Sequence, residues 1–190
     1  IAPMLHALKS HPLKKVIVVS STRVYGESAG ERVDDDTSPQ PSDAQGQVLL
    51  NMETLWQQAY PSECVIVRPT GIYGTSVARM IKLAGTTKAY PKLHWSNRIH
   101  VEDLAAFLAQ LLHVEHTEKS YICSNSQPLP LHEIIQWFQQ QLGLPFLILE
   151  SYVPSGKQIH ATRMQQMNFE LQHPHCFDDY LALLAERESK

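Results

Sequence analysis

The stretch Lys15-Val16-Ile17-Val18-Val19-Ser20-Ser21-Thr22-Arg23-Val24-Tyr25-Gly26 (KVIVVSSTRVYG) decides the fold. The β-branched run Val16 to Val19 predicts a buried, central strand of a parallel sheet, and Ser20, Ser21 and Thr22 then set three hydroxyls at its carboxyl end. Open α/β sheets bind their ligands at that end. Ahead of it, Met4, Leu5 and Leu8 repeat at helical spacing from Ile1 to about Ser10, so helix and strand make the αβ half of a crossover unit. A chain opening IAPMLHALKSHPLKK, without Met at position 1, reads as a carboxyl-terminal portion that begins in or just before that helix.

Downstream, residues 27–43 (ESAGERVDDDTSPQPSD) lack periodicity and read as a surface loop over the sheet edge, with Asp34 to Asp36 as solvated charges. Val48, Leu49, Met52, Leu55 and Trp56 then recur at three- and four-residue intervals, which predicts an amphipathic helix from Gly46 to Ala59, stopped by Pro61. Cys64 to Arg68 is a second short β-branched strand, and Pro69 to Gly74 is its exit loop. Helices are expected from about Val77 to Ala84, from Val101 to about Leu112, from Leu131 to Leu142 with Gly143 as cap, and from Phe177 to Leu184. Tyr121 to Cys123 is a third short strand, and Ser155 to Phe169 is mixed and polar. Three strands alternating with about six helices give an α/β class.

Composition excludes several functions. With 43% hydrophobic content and a formal charge of -3, the chain can bury a core but offers no basic field for a nucleic-acid backbone. Cys64, Cys123 and Cys176 lie far apart without CxxC or CxxH spacing, so neither a zinc site nor a disulfide framework is expected, and a reducing cytoplasm fits. The histidines show no HxH or HExxH spacing, and no metal is expected. Neither a signal peptide nor a membrane span is indicated.

Four segments in order resemble the extended short-chain dehydrogenase/reductases, the NAD-dependent epimerase/dehydratase family: SSTRVYG at Ser20–Gly26, VRPTGIYG at Val67–Gly74, NRIHVEDLA at Asn97–Ala105, and YICSNSQPLPLHEIIQWFQQQLGLP at Tyr121–Pro145. Their conjunction, rather than any one of them, carries the match. The chain is most similar to a short bacterial branch of nucleoside-diphosphate-sugar-epimerase-like proteins. The resemblance implies the carboxyl-terminal part of a Rossmann-like parallel sheet with a small substrate-domain appendage. Residues 1–190 would form a single partial NAD(P)-binding unit, with substrate-side elements mainly from 75–100 and 125–175. The family's Gly-rich pyrophosphate turn belongs roughly 100 residues before SSTRVYG and is not among these residues, whose eight glycines are scattered.

The same resemblance assigns residues. Ser21, with Thr22 as a weaker candidate, matches the catalytic hydroxyl; a serine that ends a strand and satisfies the next turn is the plainer alternative. Ser20, Ser21, Pro69, Thr70 and Gly71 would lie against the nicotinamide half of NAD or NADP, or else form an ordinary strand-to-helix turn. Tyr25, Arg98 and His100 fall on substrate-facing segments. Packing is the competing role for Tyr25, and a hydrogen-bonded structural role that for His100. Arg98 could bind phosphate or carboxylate, although the arginine that many nucleotide-sugar enzymes place four residues before the His is here Ser96. Arg68 reads as a strand-end ion-pair residue, and Lys157 and Arg163 as surface charges in a segment that can approach substrate. The family's catalytic Tyr and Lys positions hold Gln45 and Leu49, neither of which can move a proton or shift a neighbour's pKa. The expected function is therefore an NAD(P)-dependent epimerase/dehydratase-like or reductase-like protein acting on a sugar or nucleotide-sugar substrate. The alternatives are a catalytically inactive dinucleotide-binding or redox-sensing protein, or a fragment without independent activity. A homodimer through the Gly46–Ala59 helix is the expected assembly.

Overall fold

A computed structural model describes residues 2–8 and 11–188. Along the chain run α1 (Ala2–Leu8), β1 (Val16–Val19), a short 3-10 turn (Thr22–Val24), β2 (Ala29–Val33), α2 (Ala44–Ala59), β3 (Cys64–Pro69), β4 (Gly71–Tyr73), α3 (Ala78–Thr86), β5 (Ala89–Tyr90), β6 (Leu93–Ser96), β7 (Arg98–His100), α4 (Val101–His113), β8 (Ser120–Cys123), β9 (Leu129–Pro130), α5 (Leu131–Gln141), β10 (Ile148–Leu149), β11 (Pro154–Ile159), α6 (Thr162–Gln166) and α7 (Cys176–Glu188). The first helix is thus seen over Ala2–Leu8, while Ile1, Lys9 and Ser10 of its expected span lie outside the described residues.

The parallel sheet is three-stranded, in the order β1-β3-β8, with Ile17 opposite Val65 and Val67 opposite Tyr121. Because strand side chains alternate, Val65 and Val67 face Leu104, Phe107 and Leu111 of α4, while Cys64 and Ile66 face Trp56 and Met52 of α2. The central strand is β3, buried along its whole length. Among the described residues β1 pairs on one side only, with β3, and Val19 is 47% exposed. The helix α2 begins where Asp43 caps it, its carboxylate accepting from Gly46 N at 2.7 Å. A side chain at Gly46 would meet the Arg23 carbonyl, so glycine lets the helix lie against the turn that follows β1.

A second sheet, ordered β2-β11-β6-β9, was not legible as strands. Its members β2 and β11 lie in the two stretches that lack periodicity, because their ladder rests on backbone pairing and only Val33 and Ile159 sink into the core. The expected loop at 27–43, the polar 155–169 stretch and the count of three strands are corrected accordingly. Asp35 is corrected too: it is buried, and its carboxylate accepts from Ile122 N at 2.6 Å, Arg163 N at 2.9 Å and Thr162 Oγ1 at 3.0 Å, tying β8 to the start of α6. Asp36 pairs with Arg163 at 3.1 Å. The expected exit loop contains β4, which pairs in parallel with β7 through Ile72 and Ile99. A second core, from α3, α5 and α7, packs Phe138, Ile134, Ile135 and Tyr180 together. The three cysteines are buried free thiols, and burial pushes the Cys64 thiol up to about 11. No described helix is long and apolar enough to cross a membrane.

Candidate functional site

The ends of β1 and β3 are joined by backbone and side chain. Ser20 N donates to Val67 O at 2.7 Å, and Thr22 Oγ1 to Pro69 O at 3.4 Å. Ser21 and Thr22 thereby meet Thr70 and Gly71 on one wall of a cleft of about 660 Å³. Lys157 of β11 and Asn97 line the same cleft. The Asn97 amide holds β11 there, since Nδ2 donates to Lys157 O and Oδ1 accepts from Ile159 N, both at 2.8 Å.

Ser21 Oγ accepts from Arg23 N at 3.2 Å and so caps the short turn, yet its own O–H is left available to a group in the cleft. Ser20 Oγ is buried and has no partner. Thr70 is buried with its hydroxyl on Cys123 O, and Gly71 is required by a close approach to Asn97, whose carbonyl would lie 2.9 Å from an added Cβ. Pro69 contributes its carbonyl to Thr22 and does not line the cleft.

Three expected substrate contacts are placed differently from one another. Tyr25 is only 1% exposed, its hydroxyl accepts from Arg68 Nη1 at 2.8 Å, and its side chain packs in the core away from the cleft lining. His100 is buried at the N-cap of α4, where Nδ1 accepts from Glu102 N at 3.3 Å, and its ring stacks on His173 at 3.6 Å. It lines neither the cleft nor the recess beside it. Burial and the neighbouring His173 hold its pKa down, which favours the neutral ring. Arg98 is buried and lines that smaller recess. Arg68 is the ion-pair residue expected, with Glu53 at 2.6 Å.

Gln45 is exposed and Leu49 packs into the core, so neither reaches the cleft. The titratable side chains at the cleft include His94, whose pKa burial lowers and whose Nδ1 lies 3.1 Å from Ser155 Oγ, and Lys157, read from sequence as a surface charge in a segment that can approach substrate. Lys157 is half-buried, its ammonium donates to the Tyr25 carbonyl, and burial lowers its pKa against the opposing pull of Glu27, Asp43 and Glu31. The resemblance put Lys157 in a segment that can approach substrate, while the stretch itself, without hydrophobic alternation, did not reveal the strand that carries it. Sequence spacing also hid a cluster of His100, His173 and Asp179, whose ligand-type atoms lie within 4.8 Å of one another. Such a donor set could take a metal, but its members already satisfy one another: His173 Nδ1 meets Asp179 Oδ1 at 2.6 Å and Nε2 meets Glu102 Oε2 at 3.2 Å.

A parallel α/β sheet with hydroxyls at its strand ends, facing a cleft that a second sheet also lines, defines a Rossmann-like α/β protein. The profile of the NAD dependent epimerase/dehydratase family matches residues 2–123, and the chain belongs to that family. Protein YeeZ of Escherichia coli K12 is 30% identical over 174 residues, covering 87% of this chain; the chain spans 61% of that relative's length. A structure from Methylobacillus flagellatus, provisionally assigned as an NAD-dependent epimerase/dehydratase, is 35% identical with a TM-score of 0.86, over 98% of this chain and 69% of the other. The dTDP-glucose 4,6-dehydratase of Bacillus anthracis, solved with NAD, has a TM-score of 0.77 over 99% of this chain and 67% of its own, at 16% identity, which speaks for the fold alone.

The residues present fit the nicotinamide end of such a cofactor in one respect and depart in another. The orphaned Ser20 hydroxyl and the free Ser21 O–H lie at the strand end where that ring would be held. The position of the ribose-holding lysine is Leu49, turned into the core.

Proposed function

We propose that this chain supplies the nicotinamide and substrate side of an NAD(P)-dependent epimerase/dehydratase or reductase acting on a sugar-type substrate. The observation that carries this reading is the single cleft that Ser21 and Thr22 share with Thr70, Gly71 and Lys157. Bound NAD(P) would supply hydride exchange with a carbinol or carbonyl carbon. Ser20, Thr70 and Gly71 would hold the nicotinamide end, Ser21 and Thr22 would orient the substrate oxygen by hydrogen bonds, and Lys157 would exchange that oxygen's proton in place of the absent tyrosine. Elements from 75–100 and 125–175 form the substrate side. Val48 and Leu55, exposed on α2, would be the apolar contact of a homodimer.

The exposed Gln45 and core-packed Leu49 favour a second reading, a dinucleotide-binding or redox-sensing protein without turnover. Titration with NAD(H) and NADP(H), followed by turnover over a panel of sugar nucleotides, separates the two. Turnover abolished in Ser21→Ala supports the enzyme, saturable cofactor binding without turnover supports the sensor, and no detectable binding rejects both.

A further inference from the structure

Beside the cleft, and sharing Gly71, Ser96 and Asn97 with it, opens a recess of about 200 Å³. Arg98 lines it, 7% exposed, and its guanidinium is poorly satisfied: Nε donates to Tyr180 Oη at 2.8 Å, whereas Nη1 is buried without a partner. A guanidinium carries five donors, and burying a charged group without partners is costly, so this one is incomplete without an acceptor. Arg79 is a second cation on the rim. Thr75 and Ser76, just ahead of α3, also line the recess, and Ser76 Oγ accepts from Ala78 N at 3.1 Å. None of the described residues lining the recess is acidic.

The geometry points to an oxyanion subsite here, in which Arg98 and Arg79 hold one phosphate monoester or carboxylate of the substrate while its carbon skeleton passes Gly71 and Asn97 into the cleft. This rests on the cleft being the reaction chamber. The recess has the volume of several water molecules and lies below the usual size of a pocket for a whole organic ligand. It takes a single charged group rather than a nucleoside diphosphate, in keeping with Ser96 where many nucleotide-sugar enzymes have arginine. The substrate class that follows is a small acidic or phosphorylated polyol.

The test is calorimetric or NMR titration of the protein with inorganic phosphate and, separately, with acetate, at low salt. Saturable binding is expected, weakened roughly tenfold in Arg98→Lys, which keeps the charge but loses the planar fork, and by a smaller factor in Arg79→Ala, which alters only an exposed side chain. Tighter phosphate assigns a phosphate monoester and tighter acetate a carboxylate. No saturable binding of either anion overturns the proposal, as does binding that Arg79→Ala and Arg98→Lys both leave unchanged. Because neither probe needs a cofactor or turnover, anion binding without NAD(P) binding would leave the subsite standing and reject the reaction proposed for the cleft.

Discussion

Two arginines, Arg68 at the end of β3 and Arg98 at the start of β7, are each 7% exposed, and they are treated in opposite ways. Arg68 is closed: Nε and Nη2 bond to Glu53 at 2.6 to 3.3 Å, Nη1 bonds to Tyr25 Oη at 2.8 Å, and the Tyr25 ring lies 5.3 Å from its guanidinium carbon. Arg98 has a phenol on Nε and nothing on Nη1. The regions around them divide in the same manner. Near Arg68 the buried polar groups are satisfied by one another and hold sheet to helix. Ser20 Oγ at the end of β1 and Arg98 Nη1 at the recess are buried without a partner, and the half-buried Lys157 of the cleft is held by the Tyr25 carbonyl. Full mutual satisfaction at Arg68 fits a structural role, and the vacancy on Arg98, beside a second cation at an open recess, is where a ligand is expected, whereas Glu27 Oε2, Tyr60 Oη and His132 Nδ1 are unpartnered away from both cavities.

The sharpest way to break this comparison is to remove one partner on the closed side. Glu53→Ala leaves the Arg68 charge buried and unpaired, and urea unfolding should show a loss of about 3–5 kcal/mol. Arg68→Met should cost more stability than Arg98→Met, whose guanidinium already lacks partners; equal losses would erase the distinction. On the open side, Lys157→Gln should leave the unfolding midpoint near that of the parent and lower turnover by roughly 10² or more. Since burial lowers the Lys157 pKa, the neutral amine forms below the usual lysine range. Oxidation of a carbinol should then rise with pH through that lowered value, and the variant should lack the rise.

Smaller effects sharpen the closed side further. Asp35→Ala strands the Ile122 and Arg163 amides, and chemical denaturation should register about 1–3 kcal/mol. At the histidine pair, burial lowers the His173 pKa but bonds to Asp179 and Glu102 outweigh it, leaving it raised, whereas burial and His173 lower that of His100. The His173 contribution is therefore complete below its unfolded value near ~6.5 and fades as pH rises through the folded pKa. That of His100 has the opposite sense, present above ~6.5 and lost as pH falls. The stability gap between the parent and His173→Gln should narrow toward alkaline pH in thermal melts; a gap that widens there would contradict the assignment.

The closed half was largely legible in the sequence. The β-branched runs of β1 and β3 and the apolar faces of α2, α4, α5 and α7 carry their own periods, and Arg68 at a strand end announced an ion pair. What hid was built from polar residues whose partners are remote. β2 and β11 pair through backbone, Asp35 bonds to residues of β8 and α6, and His100 meets His173 and Asp179 only after the chain has returned past α4. The hydroxyls of Ser21 and Thr22 were placed at the cleft by resemblance and strand logic together, while the strand that brings Lys157 to the same cleft needed the fold to be seen.

The most direct measurement is amide hydrogen exchange across the protein at saturating NADH and NADPH. The account predicts saturable binding with added protection at Ser21 to Arg23 and at Thr70 and Gly71, and unchanged protection around Glu53 and Arg68. No saturable binding, or protection confined to segments away from those two strand ends, would contradict it.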